Sequence, residues 1–515
     1  MKRRFLVAAF GAAMVAVTVT GGGTALAKNE KINPNARLNF AMNMGGGGFS
    51  QRLQPDKMTA ICDAIVGSQV FGTLIRRDTK TNKAVPNLAE SWEVVDPSTF
   101  KITLRKGLTF QDGTPLDAAA LKRDLDLKRV APSTLAPTLG VISEVVAEPD
   151  GRSVTIKLSQ PVAGIMPLTF AGREGMVAAA SSTDQKPVGA GPFKFDSQVV
   201  GQEIKLSKFP NYWDAKNVKL AGIDYENIDT GQNGVLAVIA GDLDMVEGAG
   251  QANAPAENDP NVKIESATGA DYWKLNMNTS KPPFDNVDFR RAVNYAIDKK
   301  AIAEALFPGQ YEIATQSYPK SFVDQYQKDL ANRYPYSVKK AKEALAKSGV
   351  KTPVTVVAVP PANNPNFARF AEIVQANLKE IGVDVQIQPS ANLLQTFFRD
   401  KQGDFVTTLW PARPDPSVTI QRNFTPNQVT NAGNNFSLEI PTALAEIQAA
   451  ETPADARAGY KKAVNIIVDQ AYEVPVFYPV LTNVHRTYVV SDDWQVYGSC
   501  QGVDFSKVAI TTKKK

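Results

Sequence analysis

The stretch Trp410-Pro411-Ala412-Arg413-Pro414-Asp415-Pro416 brings an indole, a guanidinium and a carboxylate close together. It follows Phe405 to Trp410, an apolar run with a branched and aromatic composition that reads as a strand. In open α/β sheets, ligands sit beyond the carboxyl ends of strands. A guanidinium enclosed there grips a carboxylate or phosphate through two parallel hydrogen bonds, which makes Arg413 the candidate anion contact. Trp410 can stack on a ligand while still donating one hydrogen bond, or it can pack as core beside a hinge. Asp415 can pair with Arg413, cap the loop or touch the ligand.

Catalytic chemistry has little to work with. His485 is the sole histidine, which removes His-x-x-x-His zinc sites and leaves one base for any nucleophile triad; a structural role suits it better. There is no Gly-x-Ser-x-Gly elbow and no Gly-Lys dipeptide for a phosphate loop. A carboxylate pair is defined in space and stays open among the 52 acidic residues, so a secreted hydrolase is the alternative of a different class. The expectation is a binding protein, not an enzyme, without cofactor or bound metal.

The elements that must position these side chains alternate between helix and strand. Ala36 to Met42 reads as a strand, with the run Gly45-Gly46-Gly47-Gly48 beyond it as a flexible loop or a close approach to ligand. At Thr114-Pro115-Leu116-Asp117 the hydroxyl suits an N-cap and the proline a first helical position, predicting a helix to about Leu127. Ser337 can cap a helix carrying Ala341 and Leu345 on one face, Gly349 can end it, and Val354 to Val357 reads as strand. Phe367, Phe370, Val374 and Leu378 mark a second helix, Gly382 its end, and Val383, Val385 and Ile387 a strand. Helix then strand, twice, predicts crossover units on a sheet.

Lys2, Arg3 and Arg4, an apolar stretch from Phe5 and the ending Ala25-Leu26-Ala27 make residues 1–27 an export signal of Sec type, cleaved after Ala27. The apolar stretch is shorter than the roughly 20 residues that span a bilayer, and no cysteine follows for a lipid anchor. A periplasmic location follows. Subtracting the three leader charges from a formal +5 leaves +2, which is no nucleic-acid footprint. The tail Lys513-Lys514-Lys515 reads as a solvated, frayed end. The chain is too long for one core, since cores stop growing near roughly 250–300 residues, so two lobes are expected; the protein is read as a monomer. Trp92, Trp213 and Trp494 read as core.

Four runs carry a family resemblance. They are Val70-Phe71-Gly72-Thr73-Leu74 leading to Val85-Pro86-Asn87-Leu88-Ala89-Glu90-Ser91-Trp92; Leu104-Arg105-Lys106-Gly107-Leu108-Thr109-Phe110 with Asp112-Gly113-Thr114-Pro115-Leu116; Pro187 to Phe195; and Leu275-Asn276-Met277-Asn278-Thr279 followed by Pro282-Pro283-Phe284-Asp285. In order and spacing they resemble extracytoplasmic solute-binding proteins of family 5, which serve peptide, opine and nickel ABC importers. The resemblance implies an enlarged two-lobe α/β fold of Venus-flytrap type. Lobe one would be 28–271 plus 485–515, with an added subdomain at about 68–184, and lobe two 272–484. It also implies cleft closure over a solute and delivery to an ABC permease in the inner membrane.

Relatives of dipeptide type carry an aspartate three residues after the tryptophan, for the ligand amine, where this chain has Arg413. The run is more similar to the Trp-Ser-Gly-Arg-x-Asp-Pro form of glutathione- and opine-type members, which points to a small acidic solute or short peptide. Phe170-Ala171-Gly172-Arg173-Glu174-Gly175-Met176-Val177 resembles a stretch whose arginine faces the cleft from lobe one, so Arg173 would oppose Arg413. The alternatives are a salt bridge from Arg173 to Glu174 and a loop pair between Arg413 and Asp415. Tyr272 matches an aromatic at the first lobe crossing, there to touch ligand or to stiffen the hinge. Family topology returns the C-terminus to lobe one, where Cys62 and Cys500 would form a disulfide or remain two buried thiols. A receptor for chelated nickel or another metal shares the fold and is the second alternative.

Overall fold

The computed structural model describes residues 31–514 other than 43–48, 51, 61, 79–80, 82, 249, 363, 412, 414, 427, 429, 432, 434–435, 492 and 495–502. The expected export signal, the Gly45–Gly48 run and Cys500 therefore lie outside the described residues.

One strand organises the chain. Glu473–Arg486 is long enough to serve two half-sheets. Its first half pairs antiparallel with Tyr272–Met277 and Tyr311–Ile313, and its second half with Val262–Thr268 and Met245–Gly248. On the far side of Tyr272–Met277 the sheet continues through Phe405–Trp410, Val354–Ala358 and Val383–Ile387. On the other side, beyond Met245–Gly248, it continues through Arg37–Met42, Gly222–Asn227, Glu203–Lys208 and Phe193–Val199. The chain crosses a second time between Thr268 and Tyr272, where the Gly269 N–H donates to Pro479 O at 3.0 Å. Two covalent crossings next to each other are what a hinge requires.

Each half has its own apolar core. Leu38, Phe40, Val70, Phe71, Leu206 and Tyr225 lie in one, and Leu275, Phe289, Val356, Phe370, Val383 and Phe477 in the other. A separate four-stranded antiparallel sheet, Ala89–Asp96, Thr99–Leu104, Ser153–Leu158 and Ile142–Ala147, packs with helix Ala118–Lys128 around Phe100, Leu121 and Ile156.

The capped helix–strand repeats follow from local sequence. Ser337 accepts from the Lys340 N–H, helix Val338–Ser348 stops at the left-handed Gly349, and Pro365–Lys379 precedes Gly382 at φ 82°. Strands Val354–Ala358 and Val383–Ile387 then pair parallel. The start near Thr114 differs from expectation. Pro115 bridges back to Thr109, so the helix begins at Ala118 and Asp117 caps it by accepting from the Ala120 N–H at 2.8 Å. The C-terminal tail also differs, since Lys514 reaches the buried Asp244 carboxylate at 2.7 Å. Trp213 is 38 % exposed beneath the Arg105 guanidinium, which lies 3.8 Å from its ring centre, and is not core.

The two halves also touch away from the hinge. The turn Ala163–Ile165, attached to the four-stranded sheet, abuts the end of helix Glu439–Ala449. A Cβ on Gly164 would lie 2.0 Å from Ala450 O, so only glycine permits this approach. The two halves are thus in contact here as well as at the crossings.

Candidate functional site

Between the halves lies a cavity of about 510 Å³. One wall is helix Asp63–Phe71, which presents Ala64, Ile65, Ser68 and Gln69 at helical spacing. Its start is fixed by buried Asp63, whose carboxylate accepts from the backbone N–H groups of Ser50, Thr59 and Ala60 at 2.7–3.0 Å. Cys62, just before it, is disulfide-bonded; its expected partner Cys500 is outside the described residues.

Arg173 enters on a single tight turn, Arg173–Gly175. A Cβ at Gly175 would come within 1.8 Å of Phe170 O, and the Leu74 N–H donates to Gly175 O at 2.8 Å, so the turn is pressed against the segment after the helix. The Arg173 guanidinium donates to Met58 O at 2.5 Å and makes no ion pair with Glu174. Arg413 approaches the same cavity from the other half, just past the end of strand Phe405–Trp410. Burial, helped by repulsion from Arg422 and Arg173, pushes its guanidinium down to about 10, with Glu174 and Asp271 pulling the other way. An arginine held near like charges is poised to gain from an incoming anion.

Sequence reasoning missed part of the wall. Arg76, Asp504 and Ser506 line it too, and the Arg76–Asp504 bridge at 2.8 Å closes one side. Against the burial that disfavours its charge, Asp504 holds Arg76 above its ordinary value. Nothing local announces this pair, because its members come from opposite ends of the chain.

Trp410, Tyr272 and Asp415 stand behind the cavity rather than in its wall, in the core, hinge and loop positions that were the alternatives to ligand contact. Trp410, 6 % exposed, packs with Tyr272, Ala314 and Tyr478 and donates from Nε1 to Thr419 Oγ1 at 3.3 Å. Tyr272 is paired directly with Trp410 across the strands and donates to Glu473 at 3.0 Å. The strand register points both rings to the buried face. Trp410 still serves Arg413, whose guanidinium carbon lies 5.7 Å from its ring centre.

Asp415 is buried and accepts from the Ser417 N–H at 2.7 Å, at the start of helix Ser417–Phe424. Burial pushes its carboxyl up to about 6. A carboxyl raised from 3.8 to about 6 on folding is neutral in both states at low pH, and its charging is penalised only when folded. Stability is therefore lost as pH rises from about 4 through 6. Asp415→Asn, which keeps the acceptor without the charge, should stabilise the protein at pH 7 by on the order of 1–2 kcal/mol. It should also remove that part of the pH dependence, which denaturant midpoints between pH 4 and 7 will show.

Among the described residues no cluster of His, Cys, Asp or Glu could hold a metal ion, and no helix is long and apolar enough to cross a membrane. His485 is buried, stacked on Trp494 at 4.1 Å and held down at about 4 by burial, a structural histidine.

Known proteins are similar along most of the chain. Heme-binding protein A of Haemophilus influenzae is 29% identical over 350 residues, 61% of this chain and 63% of that protein. Glutathione-binding protein GsiB of Escherichia coli O6:K15:H31 is 24% identical over 422 residues, 77% of this chain and 81% of that one. The structure of the binding protein AgaA of A. tumefaciens R10 in complex with agropinic acid shares the fold, with a TM-score of 0.75 at 23% identity over 92% of this chain and 99% of that one. A match to bacterial extracellular solute-binding proteins, family 5 (middle region), spans residues 83–431, well over half of the 515 residues. With two half-sheets joined by paired crossings and a cavity between them, the chain belongs to the family 5 extracellular solute-binding proteins.

Proposed function

We propose that this protein captures a small acidic solute, a short peptide or a glutathione- or opine-like molecule, by closing its halves over it, and delivers it to an inner-membrane ABC permease. The observation that carries this reading is that guanidiniums from opposite halves, Arg173 and Arg413, line one cavity. An anion between them favours the shut form by binding it better than the open one. Exclusion of water strengthens each contact. The volume of about 510 Å³ falls in the range of roughly 300–1,000 Å³ for small-molecule sites.

The protein works in the periplasm as a monomer after cleavage behind Ala27, without nucleic-acid partners. Lobe one is 28–271 with 485–515, its subdomain about 68–184, and lobe two 272–484. Cys62 and Cys500 close the disulfide that staples the returning C-terminus to lobe one.

A thermal-shift screen tests the function. Glutathione, opines, acidic dipeptides and sugar phosphates are set against neutral sugars and uncharged amides. A solute at 100 times its Kd stabilises by about 2.7 kcal/mol, so acidic hits should stand out. Stabilisation confined to the neutral set, or none at all, would remove the anion reading.

A further inference from the structure

We infer that Glu174 accepts a positively charged group of the solute, so that the cavity selects a zwitterion over a simple acid. The inference rests on the anion reading above and deepens it. Glu174 lines the cavity beside Arg173, from the same tight turn. Two other carboxylates of the wall are already engaged, Asp504 with Arg76 at 2.8 Å and Asp493 with Lys507 at 2.9 Å. Glu174 makes no hydrogen bond and no ion pair with any described residue. A carboxylate in a half-buried wall without a partner loses solvation when the halves shut, and a cation from the solute restores it.

The opposite charges are also spread across both halves. Glu174 and Arg173 face the cavity from one side and Arg413 from the other, and the Glu174 charge already bears on Arg413. A solute that brings only an anion would satisfy the guanidiniums and leave Glu174 opposed by nothing but them. One that also brings an ammonium gives Glu174 a partner as well. The solute class is therefore a carboxylate carrying a free amine, such as the amino-acid head of a short peptide. The placement departs from an aspartate after the strand-end tryptophan, since that position holds Arg413 and the acid comes from the facing half.

Calorimetry with two probe pairs tests it: glutathione and its N-acetylated form, and Ala-Glu and N-acetyl-Ala-Glu. The wild-type chain should prefer the free-amine member of at least one pair by tenfold or more. Glu174→Gln should lose that preference, mainly by weakening the free-amine member, whereas Glu174→Asp should keep most of it. A preference that survives Glu174→Gln, or an equal loss for both members, overturns the inference. If the wild type binds none of the four but binds a sugar phosphate, the inference falls and the anion reading stands. If it binds no acidic solute at all, both fall.

Discussion

Lys274→Met should lower stability by about 3–5 kcal/mol, the usual cost of removing one partner from a buried ion pair. Lys274 and Glu473 meet at 2.8 Å with side chains 1 % and 3 % exposed, on the strands that join the two halves. Glu473 also accepts from Ser317 Oγ at 2.6 Å and from Tyr272, while the Lys274 ammonium lies 5.2 Å and 5.3 Å from the Tyr272 and Trp410 ring centres. Burial pulls Lys274 below its ordinary value and Glu473 opposes it, so neither charge tolerates loss of the other. The paired change Lys274→Met with Glu473→Leu should recover only part of the loss, because it leaves no Lys274–Glu473 charge unpaired but takes the acceptor from the Ser317 and Tyr272 hydroxyls and the nearby carboxylate from buried Lys299. Urea midpoints for the three proteins decide it. A single-variant loss under about 1 kcal/mol would mean that the remaining hydrogen bonds suffice for Glu473.

Arg413→Ala should weaken binding of an acidic solute by about 1.5–3 kcal/mol, the range for hydrogen bonds to charged groups, or roughly 10- to 150-fold in Kd. The unliganded protein should respond differently. Because burial and neighbouring guanidiniums already disfavour the Arg413 charge, its removal should leave the melting temperature level or slightly higher without solute. That split between affinity and stability separates a ligand contact from a loop-holding arginine, which would lose both together. Calorimetry beside a melt without solute reads it directly, and unchanged affinity removes the role.

The distance from Arg413 back to Lys274 runs through Trp410, whose ring lies near both cations. The tryptophan thus links the buried pair of the hinge strands to the cavity wall. Its strand-end position was legible from Phe405-Val406-Thr407-Thr408-Leu409-Trp410, but its orientation was not. Pairing of Tyr272 with Trp410 fixes which face each ring takes, and a shift of one residue would have turned both over.

Much of the local structure was written in the chain. Ser337 and Gly349 bound one helix, the spacing of Phe367, Phe370, Val374 and Leu378 with Gly382 beyond marks the next, and the strand Val383–Ile387 follows from alternation. The four motif runs carried the family, and arginine chemistry at a strand end marked Arg413. These signals are short-range, set by periodicity and by which residues suit a cap or a turn. The Arg76–Asp504 bridge, the Lys274–Glu473 pair and the engagement of Asp504 and Asp493 that leaves Glu174 over arose only in three dimensions. Each joins residues far apart in the chain through strand register and the double crossing of Glu473–Arg486 and Thr268 to Tyr272. Pairing across such separations depends on how the sheets align, and no local pattern encodes that alignment.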